Sequence, residues 1–199
     1  SHFSKTRRYA WPEVEDFVAG RTATLALDLG CGNGRHAELL ATVADRVVGV
    51  DASRGLLDAA RRRLSDDSPT VELIQGDAAT VPLRTGAVDL AVYVATIHHL
   101  PTRDDRVASL GELSRVLAPD GRALVSAWST AHDRFDASAD ADEGFDTTVD
   151  WTLENGETVD RFYHIYAPAE FERDLHATGL DVVNHEISSG NSYAVVTPE

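Results

Sequence analysis

Three short stretches hold residues whose types and spacing could do chemistry. In LALDLGCGNGRH, Gly30, Gly32 and Gly34 stand between an apolar run and an amphipathic one, and Asp28 precedes the first glycine by two positions. Glycines there let the backbone turn tightly and approach a ligand closely beneath a helix N-terminus. The spacing is GxGxG rather than the GxGxxG of pyrophosphate loops. A carboxylate at Asp28 would repel a pyrophosphate but suits a cationic ligand, such as one bearing an amino-acid ammonium. Asp51 stands 17 residues after Gly34 at the end of the next apolar run, where an acidic side chain can accept from both hydroxyls of a ribose. Asp77, in Gly76-Asp77-Ala78, ends a third run, where it can accept from an adenine amine. Ala52, Ala78 and Val94 adjoin these strand ends and complete the expected cofactor set.

The second stretch is IHHL, with His98 and His99 directly after a fourth apolar run. The third is DRFYHIYAPAEF, which crowds Arg161, Tyr163 and His164 together in a chain of formal charge −15. Cys31 lies inside the glycine loop and is expected to be a small packed residue. As the one cysteine of the chain, it leaves no nucleophile for attack on a pyrimidine ring, and it excludes an internal disulfide. No Cys/His set has zinc spacing, so no metal site is expected.

Alternating strand-like and helix-like segments must position these residues. Residues 12–19 form an amphipathic helix with Trp11, Val14, Phe17 and Val18 turned inward. Then follow TLALDLG as a strand, RHAELLATV as a helix, RVVGVDA as a strand, and SRGLLDAARRRL as a helix with Ser53 at its N-cap. VELIQGD is a third strand; VDLAVYVATI is a fourth, apolar almost throughout, as a strand buried on both faces would be. Residues 103–117 form a helix ended by Pro119-Asp120-Gly121, and GRALVSAW is the fifth strand. Residues 129–146 are Asp/Ala/Ser-rich without period and are expected to form an acidic surface loop. A turn is expected at Glu154-Asn155-Gly156-Glu157. A last helix spans 168–178 with Gly179 just past its end, and two strands then flank a hairpin turn at Gly190-Asn191. Repeated βα units call for a parallel sheet covered on both faces, here closed by an antiparallel C-terminal β-hairpin. We expect one α/β domain over 1–199.

The totals agree with this scheme. The chain has 199 residues and is 43% hydrophobic, enough to bury a proper core. Its apolar runs are far shorter than the roughly 20 residues of a membrane span. No signal peptide or lipidation pattern is evident, and with a single thiol a cytoplasmic location is expected. Basic residues are 17 Arg and one Lys, Lys5, against 33 carboxylates. Such a surface fits life in high salt, as in a salt-adapted archaeon, where screening acts over a few Å. The simpler account on charge alone is an ordinary acidic protein that avoids nucleic acid, but charge does not decide between them. Arg61-Arg62-Arg63 reads as a solvated helix face.

Three strand ends that offer an ammonium, a ribose and an adenine partner resemble the class I methyltransferases that use S-adenosylmethionine (SAM). That family has the same Rossmann-like βα series and the same antiparallel close, and the resemblance covers nearly the whole chain. Methylases of exocyclic amines carry an Asn/Asp-Pro-Pro-aromatic motif after strand four; this chain has Tyr93-Val94-Ala95-Thr96-Ile97-His98-His99-Leu100 instead. The opening HFSKTRRYAWP, IHH, GELSRVLAPDGRALVSAW, RFYHIY and the closing GNSYAVV together resemble the tRNA methyltransferases that esterify 5-carboxymethyluridine at the wobble position. The chain departs from that pattern at Arg8-Tyr9-Ala10 and at Phe162.

The resemblance implies a carboxylate acceptor, already ionised at neutral pH and in need of no general base. The task is then to hold it in line with the methyl. Arg, imidazolium, Tyr hydroxyl and backbone N–H groups can hold one oxygen while the other attacks. The candidates are Arg7, His98, Arg161, Tyr163 and His164. The resemblance also implies a tRNA substrate and a small zinc-binding activator subunit. That subunit would add to the edge segment TVELIQ, whose ends are Thr70 and Gln75. Two other readings stay open: a SAM-dependent O-methyltransferase of a small carboxylate or phenolic metabolite, and a SAM-binding regulatory module without turnover.

Overall fold

The computed structural model describes residues 9–64, 70–135, 141–152 and 158–199. Arg7 and the turn expected at Glu154-Asn155-Gly156-Glu157 lie outside the described residues. The chain order begins with α1 (Pro12–Val18), β1 (Ala23–Leu29), α2 (Arg35–Leu40), β2 (Ala44–Asp51), α3 (Arg54–Arg63) and β3 (Val71–Gln75). Then come β4 (Val88–Val94), a 3₁₀ turn (Ile97–His99), α4 (Arg103–Val116) and β5 (Leu117–Trp128). The chain finishes with β6 (Phe145–Thr152), β7 (Thr158–Ile165), α5 (Pro168–His176), β8 (Leu180–Ser188) and β9 (Asn191–Pro198).

Seven strands form one sheet in the order β3-β2-β1-β4-β5-β9-β8. The five from β3 to β5 are parallel, and β9 and β8 join antiparallel. This is the Rossmann-like class I methyltransferase sheet expected above. The apolar strands β1 and β4 are sandwiched between two cores. One core packs Leu27, Leu29, Tyr93 and Val125 against Leu110 and Leu113 of α4 and Phe171 of α5. The other packs Ala26, Val92 and Leu124 against Val14 and Phe17 of α1 and Leu40 of α2. Each fully buried side chain of this kind stabilises the fold by about 1.5–3 kcal/mol. Local signals agree: the Ser53 hydroxyl accepts from Leu56 N–H at 3.3 Å, capping α3. At the last hairpin, Ser189 and Gly190 take φ of 48° and 77°, the two positive values a type I′ turn demands. The turn therefore lies one residue earlier than expected, and Asn191 already pairs with Ser188.

Two stretches differ from expectation. Strand β5 starts at Leu117, directly after α4, because Leu117 pairs with Val88 and the register then shifts before Leu90. The segment 129–146 is not a free loop throughout. Ser129 and Thr130 are buried, Ser129 bridges to Tyr166, and Phe145 and Asp146 begin β6, which pairs with β7 as a separate two-stranded sheet. Pairing to RFYHIY, not local composition, orders that end. No helix among the described residues is long and apolar enough to cross a membrane.

Candidate functional site

Strand order reverses between β1 and β4, one neighbour leading back to β2 and the other on to β5. A crevice at the carboxyl ends of the strands is expected at such a switch point. A cleft of about 340 Å³ lies there. Gly30 and Gly32 form one wall; Asp51, Ala52, Asp77 and Ala78 form the next. Gly30 takes φ of 73° and lies so close to Thr96 that a Cβ would overlap the threonine side chain. Only glycine fits, because the backbone both enters the left-handed region and touches β4's end. Asp51 fixes this loop: its Oδ2 accepts from Gly32 N–H at 2.8 Å, and its Oδ1 accepts from Ser53 N–H at 2.8 Å. Each oxygen keeps a second acceptor position, and the residue lines the cleft. Asp77 accepts from Ala79 N–H at 2.8 Å, a local turn that presents the carboxylate beside Ala78.

Asp28 lies underneath rather than in the wall, 1% exposed, and its Oδ2 is buried without a hydrogen-bond partner. Burial raises its carboxyl from an ordinary 3.8 to about 7, against the opposing pull of the Ala37 backbone N–H and Arg35. An orphaned acceptor beneath a glycine loop fits a cofactor with cationic groups. Cys31 is packed against Gly49, and burial, followed by the charges of Asp28 and Asp51, pushes its thiol far up. It is inert at neutral pH, as a packing residue should be. Gly34, at φ 79°, starts α2 without lining the cleft, and Val94 is buried in the core. Beyond Val94 the backbone swings through Ala95 at φ 53°, so Ala95 and Thr96 line the cleft in its place.

The opposite wall comes from the 3₁₀ turn and β7. His99 and Arg161 line the cleft, and Arg161 is the one Lys or Arg among the described lining residues. His99 Nδ1 lies 3.2 Å from the Phe162 carbonyl, which ties the turn to β7 and makes Nδ1 the donor. Tyr163 stacks on Trp128 at 4.6 Å and 16°, and the His99 ring meets it edge-on at 4.4 Å. His98 does not line the cleft. It is 1% exposed, and its Nδ1 accepts from Trp128 N–H at 3.0 Å, so it serves as a buried brace behind the wall. His164 is also turned away, with its nitrogens 2.7 Å from Asp146 Oδ1 and 3.0 Å from Glu170 Oε1. Strand alternation is the reason: residues 161 and 163 share one face of β7, and 162 and 164 share the other.

Reading from sequence missed His99 and Thr96 as wall residues; the candidate Tyr163, 3% exposed and stacked on Trp128, is not among the lining residues. A 3₁₀ turn places consecutive side chains about 120° apart, so only one of the paired histidines can face the cleft. The sequence holds no sign of which.

The chain matches the model of the methyltransferase domain family over residues 27–125. A putative methyltransferase of Encephalitozoon cuniculi is 30% identical over 199 residues, covering 98% of this chain and 89% of that protein. The Xenopus tropicalis tRNA (carboxymethyluridine(34)-5-O)-methyltransferase alkbh8 is 39% identical over 129 residues, 64% of this chain and 19% of the relative. This chain thus spans under a fifth of that relative's length. Among solved structures, DhpI in a complex with SAM superposes with a TM-score of 0.72 at 25% identity, covering 93% of this chain and 83% of that one.

Proposed function

We propose that this chain, which belongs to the methyltransferase domain family and uses S-adenosylmethionine, esterifies the carboxylate of 5-carboxymethyluridine at the wobble position of tRNA. One observation carries the reading: Arg161 lines the same cleft as Asp51 and Asp77, a cation in a site otherwise furnished with acids. The acids suit the ribose, adenine and ammonium of SAM; the guanidinium suits an anionic acceptor.

SAM supplies a methyl on a sulfonium centre, electrophilic without an acid. Asp51 binds ribose hydroxyls while keeping the glycine loop closed through Gly32 N–H. Asp77 accepts from the adenine amine, and Asp28 beneath the loop balances cationic charge. Arg161 holds one carboxylate oxygen and leaves the other to attack. The acceptor's pKa of about 4 makes it a nucleophile at neutral pH, so His99 is needed as a donor and wall rather than a base, with the buried Tyr163 ring supporting it. A single cation with neutral donors avoids over-stabilising the ground state. The proposal includes a small zinc-binding activator along β3, one of the two outer strands of the sheet, and a high-salt setting for the acidic surface.

The experiment is incubation with methyl-labelled SAM and either cellular tRNA or a small-molecule extract, at several salt concentrations, with and without the activator. Base-labile label on tRNA is the expected result. Label only in small molecules would replace this reading with a metabolite methyltransferase, and SAM binding without transfer would replace it with a regulatory module.

A further inference from the structure

We propose that His164 is a positioning residue: as an imidazolium it clamps the β6–β7 hairpin to α5, holding Arg161 at the cleft with Tyr163 packed beside it on the same strand, and loss of its proton releases them. This rests on the reading of Arg161 as the cation that holds the acceptor.

The geometry is that of a ring held at both ends. Asp146 pairs directly across the strands with His164, and its Oδ1 lies 2.7 Å from Nδ1. Glu170, in the first turn of α5, places Oε1 3.0 Å from Nε2. The other Glu170 oxygen accepts from Gly144 N–H at 2.7 Å, so the same carboxylate also fixes the chain entering β6. A Cβ on Gly144 would collide with the Ile165 carbonyl, which shows how closely the two strands' ends are drawn together. Hairpin entry, strand end and helix start thus meet at one imidazole.

Carboxylates only accept hydrogen bonds, so a ring between two of them must donate from both nitrogens. Only the imidazolium does. A neutral ring would aim a lone pair at one carboxylate in a site where His164 itself is 5% exposed. The groups facing the ring are few. Asp146 comes from β6, with its side chain 60% exposed, and Glu170 from α5. The Tyr166 ring stands edge-on at 4.6 Å, its hydroxyl kept neutral by burial. Arg103 of α4 acts on Glu170 from beyond it. Burial pushes the Glu170 carboxyl up, but hydrogen bonds from His164 and the Gly144 N–H outweigh this and hold it below its ordinary range. Glu170 is therefore an anion at neutral pH and wants the ring charged.

The test uses the full chain with SAM bound. Histidine-ring ¹⁵N NMR is followed from pH 6 to 10 beside single-turnover transfer to tRNA carrying 5-carboxymethyluridine. We expect both His164 nitrogens to be protonated at neutral pH. Transfer should fall about tenfold per pH unit above the ring's midpoint, and the Arg161 and Tyr163 amide shifts should move with the same midpoint. In Asp146→Asn, the amide can accept from a ring N–H or donate to a bare ring nitrogen, so both ring states are held. The alkaline fall should shrink to about twofold over the same span, with SAM affinity unchanged, whereas a merely structural role would scale transfer equally at every pH. Glu170→Gln provides the same readout from the other side of the ring. A neutral His164 at pH 7, or identical alkaline falls in wild type and both variants, would overturn the clamp. If the wild-type chain methylates no carboxylate on tRNA, the acceptor reading fails, and the NMR arm still decides. Amide shifts of Arg161 and Tyr163 that track the ring support the clamp, and shifts indifferent to it refute it.

Discussion

The two walls of the cleft are built on different principles. The cofactor wall is made of backbone: a loop from Gly30 to Gly34 whose shape is set by positive φ values, an N–H at Gly32, and carboxylates at the ends of adjacent parallel strands. Its residues lie within one run of sequence and are spaced by the βα repeat. The acceptor wall is made of side chains on a two-stranded hairpin outside the main sheet, steadied by the Tyr163–Trp128 stack and the His164 clamp. An isolated two-stranded hairpin is marginally stable in water, so such tethers decide its position. The comparison teaches that one wall is rigid by construction and the other by attachment. Damage to the two should therefore separate cleanly into SAM binding and methyl transfer.

Arg161→Ala sharpens that separation most. Removing a charge-assisted bond to the acceptor should lower single-turnover transfer at saturating SAM about a hundredfold, while calorimetry finds SAM affinity within about twofold. Equal losses in both would erase the distinction between the walls. Asp51→Ala is the reciprocal break. It forfeits the ribose bonds and the Gly32 anchor, so SAM affinity should fall by about 1.5–3 kcal/mol by calorimetry. Transfer extrapolated to saturating SAM should change far less.

The smallest effect concerns stability without ligand. Asp28 binds its proton up to about pH 7 in the folded chain and only to about 3.8 unfolded. Between these values the folded state holds the extra proton, so stability is lost as pH rises through the window. Asp28→Asn removes that dependence. Urea melts should show a gain of about 1–2 kcal/mol at pH 8 and little change near pH 4. An unchanged slope of stability against pH would mean that Asp28 is already ionised and partnered in the free chain.

Much of the cofactor wall was legible from sequence because its rules are local. A glycine at φ 73° and a Ser at an N-cap each leave a mark within a few residues. The acceptor wall was legible only as composition. Arg161, Tyr163 and His164 look equivalent as neighbours, yet strand alternation sends His164 to the back. His98 and His99 look interchangeable, yet the 3₁₀ turn buries one and leaves the other in the cleft. Asp146 carries no local signal at all; its meaning comes from the register that sets it opposite His164. Val94 falls to the core because the turn at Ala95 rotates the chain just beyond it.

By itself, then, the sequence determined the parallel sheet with its antiparallel close, the glycine loop and the acidic strand ends, since apolar period and backbone φ are properties of short windows. Only the tertiary structure decided which imidazole faces the cleft, that β6 arises from an acidic stretch, and that Asp146, His164 and Glu170 meet. Those outcomes depend on contacts between residues up to 63 positions apart, whose energies no local pattern encodes.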